Sequence, residues 1–349
     1  MEDEIRAMHG RYLNLTPGEL DARAESAYAI YRECRVCPRA CGVDRARGET
    51  GFCRQSDRLT VSSFVRHFGE EIPLTGRRGV GNIFVSSCNM LCDYCQNYQI
   101  SQYRLGAEYD YSAVADEMLK LQSLGVHYIG WVSPSHVAPG LLKSLSIARR
   151  KGLTLPIVYN TNGYDAVPTL RLLDGVVDIY LPDLKYASNA VAKEYSHIRD
   201  YAGRSRDAVL EMFRQAGPLT LDEAGMAVSG VMVRHLVLPG GLAGTWETLC
   251  FVALEMSPKI PLSLMSQYRP VHKALADPRI SRMITEREYA EALRMAEELG
   301  FETLFVQRLD GSLHNLPDFT SGENPFPLDR AHNGPMEKGQ DAVSAPASA

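Results

Sequence analysis

From about residue 82 the chain alternates short apolar runs with longer stretches of helical period. The runs "NIFVSS", "HYIGWVS", "PIVYN", "VVDIYLPDLK", "GVMVRHLVLPG", "PLSLMSQY" and "TLFVQR" read as strands. Helical patterns at roughly 112–124, 138–151, 165–173, 188–216, 244–256 and 285–299 separate them. Short strands alternating with helices predict parallel βαβ units, closed into an α/β barrel or left as an open sheet. Polar or turn-forming residues follow the strands: Cys88, Ser133, Asn160, Asp183, Pro239 and Gln267. In such folds the carboxyl ends of the strands carry the chemistry.

The first third reads differently. "ELDARAESAYAIYRE" (19–33) has the pattern of an amphipathic helix, and residues 34–53 are loop-like, broken by Pro38, Gly42, Gly48 and Gly51. A strand or hairpin is expected at "LTVSSFVRHFGEE", followed by the Gly-rich connector "LTGRRGVGN". The predicted organisation is a helical leader (1–33), a Cys-rich metal-binding segment (34–75), a barrel core (76–322) and a disordered tail (323–349), the last because it lacks periodicity.

Composition narrows the class. The 349 residues are 45% hydrophobic and 23% charged, with a net charge of −5. That balance has no basic footprint for nucleic acid or an anionic membrane. No apolar run is long enough to span a bilayer, and "MEDEIRAMHGRY" lacks the layout of a secretory signal. A cytoplasmic location is expected, where clustered cysteines more often bind metal than form disulfides.

Seven of the eight cysteines fall in two groups; Cys250, in "WETLCFVALEM", is expected in the core. In "SSCNMLCDYCQNYQIS", Cys88, Cys92 and Cys95 supply three thiolates on one tight loop after a strand. Structural zinc takes four protein ligands and a conventional four-iron cluster takes four cysteines. Three ligands leave a coordination position open for a small molecule, unless a distant residue completes a zinc site. Cys34, Cys37, Cys41 and Cys53, by contrast, are a complete set of four, for which zinc and a second 4Fe–4S cluster are equally acceptable.

The CxxxCxxC spacing, with Tyr94 before the third cysteine, resembles the signature of the radical S-adenosylmethionine (radical SAM) superfamily. "CQNYQIS", "WVSPSH", "YNTNGY", "YLPDLKY", "VRHLVLPG" and "LMSQYRP" are similar to one branch of it, the pyruvate formate-lyase activating enzyme and its PflX-type relatives. The "CRVCPRACGV" and "GETGFC" segments resemble the PflX-type amino terminus. The resemblance implies a partial (β/α)6 TIM-like barrel and a 4Fe–4S cluster on Cys88, Cys92 and Cys95, with SAM on its open iron. Reductive cleavage of SAM would yield methionine and a 5′-deoxyadenosyl radical that abstracts hydrogen. Tyr94 stands where the family places an aromatic near adenine. Asp183 and Lys185 match a "DLK" near the SAM methionine group. They flank the end of an apolar strand and are expected on different sides if it continues, with Lys185 on the SAM carboxylate or solvated.

Asn160 and Asn162 can bond the ribose hydroxyls or form an Asx turn with Gly163. Arg234, inside an apolar strand, faces SAM or pairs with a carboxylate, because an unpartnered buried guanidinium is costly. His235 faces the other side as an exposed histidine. Where many family members carry a Gly-Gly-Glu-like motif, "WVSPSH" stands, leaving Ser133 and nearby backbone to meet the SAM amino group. Ser135 and His136 are candidate substrate contacts, and Gln267, Tyr268 and Arg269 candidate residues of the substrate mouth. The implied partners are a low-potential electron donor such as flavodoxin or ferredoxin and, if kinship extends to the substrate, a glycyl radical protein. Nucleic acid and membrane are not expected partners. The rival readings are a radical SAM oxidoreductase or modifying enzyme with another substrate, and a non-enzymatic iron–sulfur carrier or sensor.

Overall fold

In a computed structural model of the chain, residues 8–309, 316–321 and 324–326 are described. These residues form eleven strands: β1 (Leu59–His67), β2 (Val80–Val85), β3 (Ala107–Tyr109), β4 (Tyr128–Val132), β5 (Ile157–Thr161), β6 (Ile179–Pro182), β7 (Thr220–Leu221), β8 (Ala227–Val231), β9 (Val233–Leu236), β10 (Leu262–Met265) and β11 (Leu304–Val306). β2, β4, β5 and β6 pair in parallel in chain order. β6 pairs with β8, and a bridge between Asp183 and Arg234 carries the ladder on to β9, β10 and β11.

β8 and β9 are one strand broken at Met232, so seven parallel strands follow one another through six helical crossovers. This is the partial (β/α)6 barrel, with β11 as a closing strand. Among the described residues β11 and β2 are not hydrogen-bonded, so the ring stays open. β1 runs antiparallel along the free side of β2, and β3 along β1. β1 lies within the expected Cys-rich segment yet is continuous with the barrel sheet.

Side chains alternate across the barrel wall because strand residues have a period of two. Ile129, Trp131, Tyr159 and Tyr180 face outward and pack with Leu141, Leu145 and Met212 of the surrounding helices. Tyr128, Val158, Ile179, Leu181 and Met232 fill the interior at one end. Both faces are buried, which is why these strands read as nearly continuous apolar runs.

The leader helix runs Pro17–Ala29, followed by a 3-10 turn at Ile30–Glu33. Thr16 and Glu19 form a capping box at its start, each side chain satisfying a backbone N–H of the other. Residues 324–326 fall in the segment expected to be disordered. Phe326 packs 5.3 Å from Phe84 between ring centres. The rest of that tail lies outside the described residues. No described helix is long and apolar enough to cross a membrane.

Candidate active site

A cavity of about 250 Å3 opens where the parallel strands end. Every parallel strand supplies part of its lining: Cys88 after β2, Ser133 after β4, Asn160–Asn162 at β5, Asp183 and Lys185 after β6, Leu236 at β9, Gln267 after β10 and Gln307 after β11. Cys92, Tyr94 and Cys95 line the same space.

The cysteine loop leaves β2 through strained backbone. Ser87 and Leu91 have φ of 69° and 61°, a region that non-glycine residues rarely adopt. Each sulfur accepts a hydrogen bond. Met90 N donates to Cys88 Sγ at 3.3 Å, Ser196 Oγ to Cys92 Sγ at 2.9 Å, and Ser101 Oγ to Cys95 Sγ at 3.3 Å. Tyr186 OH lies 2.7 Å from Ser196 Oγ and is placed to donate in turn. All three cysteines are free. Burial pushes the Cys92 thiol up to about 12 and raises Cys95 as well, while the Lys185 cation opposes both shifts.

Asp183 and Lys185 form an ion pair at the cavity wall. The expectation that they would part is corrected: β6 ends at Pro182, and residues two apart share a side in any case. Burial disfavours the charge on Lys185, but Asp183 and then Cys92 outweigh it and raise its pKa. Tyr94 is 5% exposed and meets the rings of Tyr186 and Tyr268 edge-on. Asn162 takes the Asx-turn geometry, its Oδ1 accepting from Tyr164 N at 2.9 Å. Its Nδ2 donates to Asn89 Oδ1 at 2.8 Å and reaches Cys88 Sγ at 3.5 Å. Asn160 lines the cavity beside it, and Ser133, in left-handed backbone, donates its N–H to Asn160 O.

Arg234 also lines the cavity, but two carboxylates hold it. Its guanidinium pairs with Glu70 and Glu71, with Nε 2.9 Å from Glu71 Oε1. Both acids follow β1, which runs opposite to the barrel strands, so they enter the interior from the other end of the ring. Asn82 Nδ2 donates to Glu70 at 2.8 Å. Burial alone would raise the Glu70 pKa. Arg234, His67 and the hydrogen bonds from Arg234 and Asn82 prevail, and hold it at about 2. The sequence reading missed these acids, although a strand arginine among apolar residues signalled that some carboxylate had to reach it.

Several expectations need correction. His136 is 1% exposed and lines a second, smaller cavity; its Nε2 bonds Ser86 O and its Nδ1 has no partner. Burial pushes it down to about 4, so it is neutral. Ser135 is buried against Thr161 and is not part of the lining. Tyr268 is buried with its OH donating to Ile280 O, and Arg269 does not line the cavity; of the three mouth candidates only Gln267 does. His235 is fully buried between Leu184 O and Thr245 Oγ1 rather than exposed. Cys250 is half-buried.

A partial parallel barrel with three free thiols at its strand ends defines a class of cofactor-binding α/β enzyme. The sequence matches the Radical SAM superfamily over residues 82–242, from β2 to just past β9. The chain belongs to the radical SAM superfamily. It is 30% identical over 299 residues to the uncharacterized protein MJ0674 of Methanocaldococcus jannaschii, covering 83% of this chain and 81% of that one. A radical SAM methyltransferase from Sphaerobacter thermophilus aligns with a TM-score of 0.43 at 14% identity, covering 66% of this chain and 67% of the other. HydG, a maturase of the [FeFe]-hydrogenase, aligns with a TM-score of 0.45 at 13% identity, over 85% of this chain and 65% of its own.

Membership implies a 4Fe–4S cluster and SAM, and the residues present fit both. Among the described residues no three His, Cys, Asp or Glu side chains are gathered to hold a single metal ion. Three free thiols, each already receiving a hydrogen bond, are suited to becoming thiolates once iron displaces their protons.

Proposed function

We propose that this protein cleaves SAM reductively and uses the product to abstract hydrogen from a backbone glycine of a partner protein. The carrying observation is the convergence of Cys88, Cys92, Cys95, Asp183, Lys185 and Asn160 on one cavity. When bound, the cluster supplies one electron that splits the SAM sulfonium into methionine and a 5′-deoxyadenosyl radical.

The chain's own residues do the rest. Lys185, kept protonated by Asp183, offers a charge-assisted partner to the SAM carboxylate. Asn160 offers its amide to the ribose hydroxyls, and the Ser133 turn offers its hydroxyl and backbone carbonyls to the amino group. Tyr94 offers a ring edge to adenine. Gln96, Asn97, Gln267 and Gln307 line the cavity with amides, which suit an incoming peptide backbone. The electron comes from a flavodoxin- or ferredoxin-like donor.

One observation favours a second reading, an oxidoreductase or modifying enzyme with a small substrate. Pro317 and Phe326 join the lining and add apolar surface to it. Anaerobic reduction with SAM, followed by measurement of 5′-deoxyadenosine, tests the chemistry; an iron–sulfur carrier or sensor would release none. A glycine-centred radical on a candidate partner, seen by electron paramagnetic resonance (EPR), tests the substrate. SAM cleavage driven by a small molecule, with no partner radical, would favour the second reading.

A further inference from the structure

Cys34, Cys37, Cys41 and Cys53 close around a space of about 10 Å3, next to the large cavity. Gly51 passes so near that a Cβ there would fall 2.7 Å from Cys41 Sγ, so the loop closes tightly only without a side chain at 51. Phe52 N donates to Cys41 Sγ at 3.4 Å.

The surroundings are built for negative charge. Arg45 is 1% exposed. Its guanidinium donates to Ser56 O and His136 O, lies over the Tyr31 ring and reaches 3.9 Å from Cys34 Sγ. Among the described residues no carboxylate pairs with it; Tyr31 and the sulfurs of Cys53 and Cys34 offset a cation that burial makes costly. His136 lines the same space; with its Nε2 donating to Ser86 O, its neutral Nδ1 is an acceptor. A lone zinc ion would present only thiolates to the Arg45 guanidinium and the Phe52 N–H. An iron–sulfur core adds sulfide acceptors of its own, and hydrogen bonds to sulfur tune its potential.

The wall between the two sites is one residue thick. Asn89 lines the small cavity and Cys88, its neighbour in the chain, lines the large one. Asn89 Oδ1 lies 3.8 Å from Cys88 Sγ and accepts from the Asn162 amide that also touches that sulfur. Arg39 clamps the same wall, with its Nε donating to Asn89 O at 2.9 Å and its NH2 reaching Ser196 O, the residue whose hydroxyl bonds Cys92.

We infer that Cys34, Cys37, Cys41 and Cys53 hold a second 4Fe–4S cluster, which relays electrons across Asn89 to the cluster on Cys88, Cys92 and Cys95. The inference rests on the radical SAM reading and gives its electron a route. A low-potential one-electron donor protein is oxidised, the second cluster is reduced and then reoxidised by the first, and each SAM cleaved consumes one electron. The relay cluster undergoes no net change.

The test uses full-length, anaerobically reconstituted protein in three forms: wild type, the Cys88→Ala/Cys92→Ala/Cys95→Ala variant and the Cys37→Ala/Cys41→Ala variant. Wild type is expected to carry about eight irons and eight sulfides, and each variant about half. The reduced Cys88→Ala/Cys92→Ala/Cys95→Ala variant shows an EPR signal indifferent to SAM, and fully reduced wild type shows magnetic coupling that neither variant has. In the Cys37→Ala/Cys41→Ala variant, the rate of SAM cleavage with reduced flavodoxin, divided by that with dithionite, falls by about an order of magnitude.

One zinc and no iron in the Cys88→Ala/Cys92→Ala/Cys95→Ala variant would overturn the inference. So would an unchanged flavodoxin-to-dithionite ratio. Should the Cys37→Ala/Cys41→Ala variant fail to fold, the wild-type iron count and coupling decide. Eight irons without any SAM cleavage would instead count against the proposed function and leave the second cluster standing.

Discussion

Cys88, Cys92 and Cys95 border a cavity of about 250 Å3, whereas Cys34, Cys37, Cys41 and Cys53 surround one of about 10 Å3. The larger space adjoins a lysine–aspartate pair, asparagines and glutamines that a polar ligand can engage. The smaller is lined by all four of its cysteines together with Arg45, Phe52 and His136. Three thiols with a ligand-sized space beside them suit chemistry on a bound molecule, and a complete set of four suits holding or passing charge. Ligand number and free volume change together, which is what separates an open metal site from a closed one.

Removing a thiol at the open site has the largest expected effect. Cys95→Ala should reduce 5′-deoxyadenosine formation to background and abolish any SAM-induced change in the EPR spectrum; retained SAM cleavage would mean that this loop does not bear the reactive cluster. Next comes the buried charge beneath it. Arg234→Met leaves Glu70 and Glu71 without their cation and should cost about 3–5 kcal/mol in urea unfolding. Adding Glu70→Gln and Glu71→Gln should restore most of it, and failure to do so would show that Arg234 matters through packing.

Lys185→Met should leave the iron content unchanged while weakening SAM binding by roughly 10-fold to 100-fold, the worth of one hydrogen bond to a charged group. Titration calorimetry on the reconstituted protein reads this, and unaltered affinity would remove Lys185 from the SAM site. The pH dependence is smaller. The depressed Glu70 pKa contributes stability in full above its unfolded value, near 4.5, and loses it as pH falls towards about 2. The stability difference between wild type and Glu70→Gln should therefore shrink on acidification through that window, and a constant difference would contradict the pairing. Least of all, Ser196→Ala removes one donor to Cys92 Sγ and should lower the reduction potential of the cluster there, measured by redox titration.

Much of the barrel was legible because both faces of its strands are buried, so apolar runs such as "VVDIYLP" stand out against their helices. The short β3 and β7 were not, since three and two residues carry too little pattern. At the site, Cys88, Cys92, Cys95, Tyr94, Asn160, Asn162, Asp183 and Lys185 were readable as residues at or just after strand ends, and all line the large cavity. His136 was misplaced because its position in a loop after β4 says nothing about which of two adjoining cavities it meets. Glu70 and Glu71 went unnoticed because their partner Arg234 lies 164 and 163 residues away.

Covalent spacing within a few residues dictated that three sulfurs would share one loop and four would share another, since a short chain between ligands limits how far apart they can be. It also dictated the alternation that makes strands and helices here. Which distant groups meet was left to the closing of the barrel. That closure brings two acids from the turn after an antiparallel strand to a guanidinium on β9 and lays the amino-terminal cysteines against the back of Asn89. Such contacts depend on where separate strands end in space, and no local window of sequence records that.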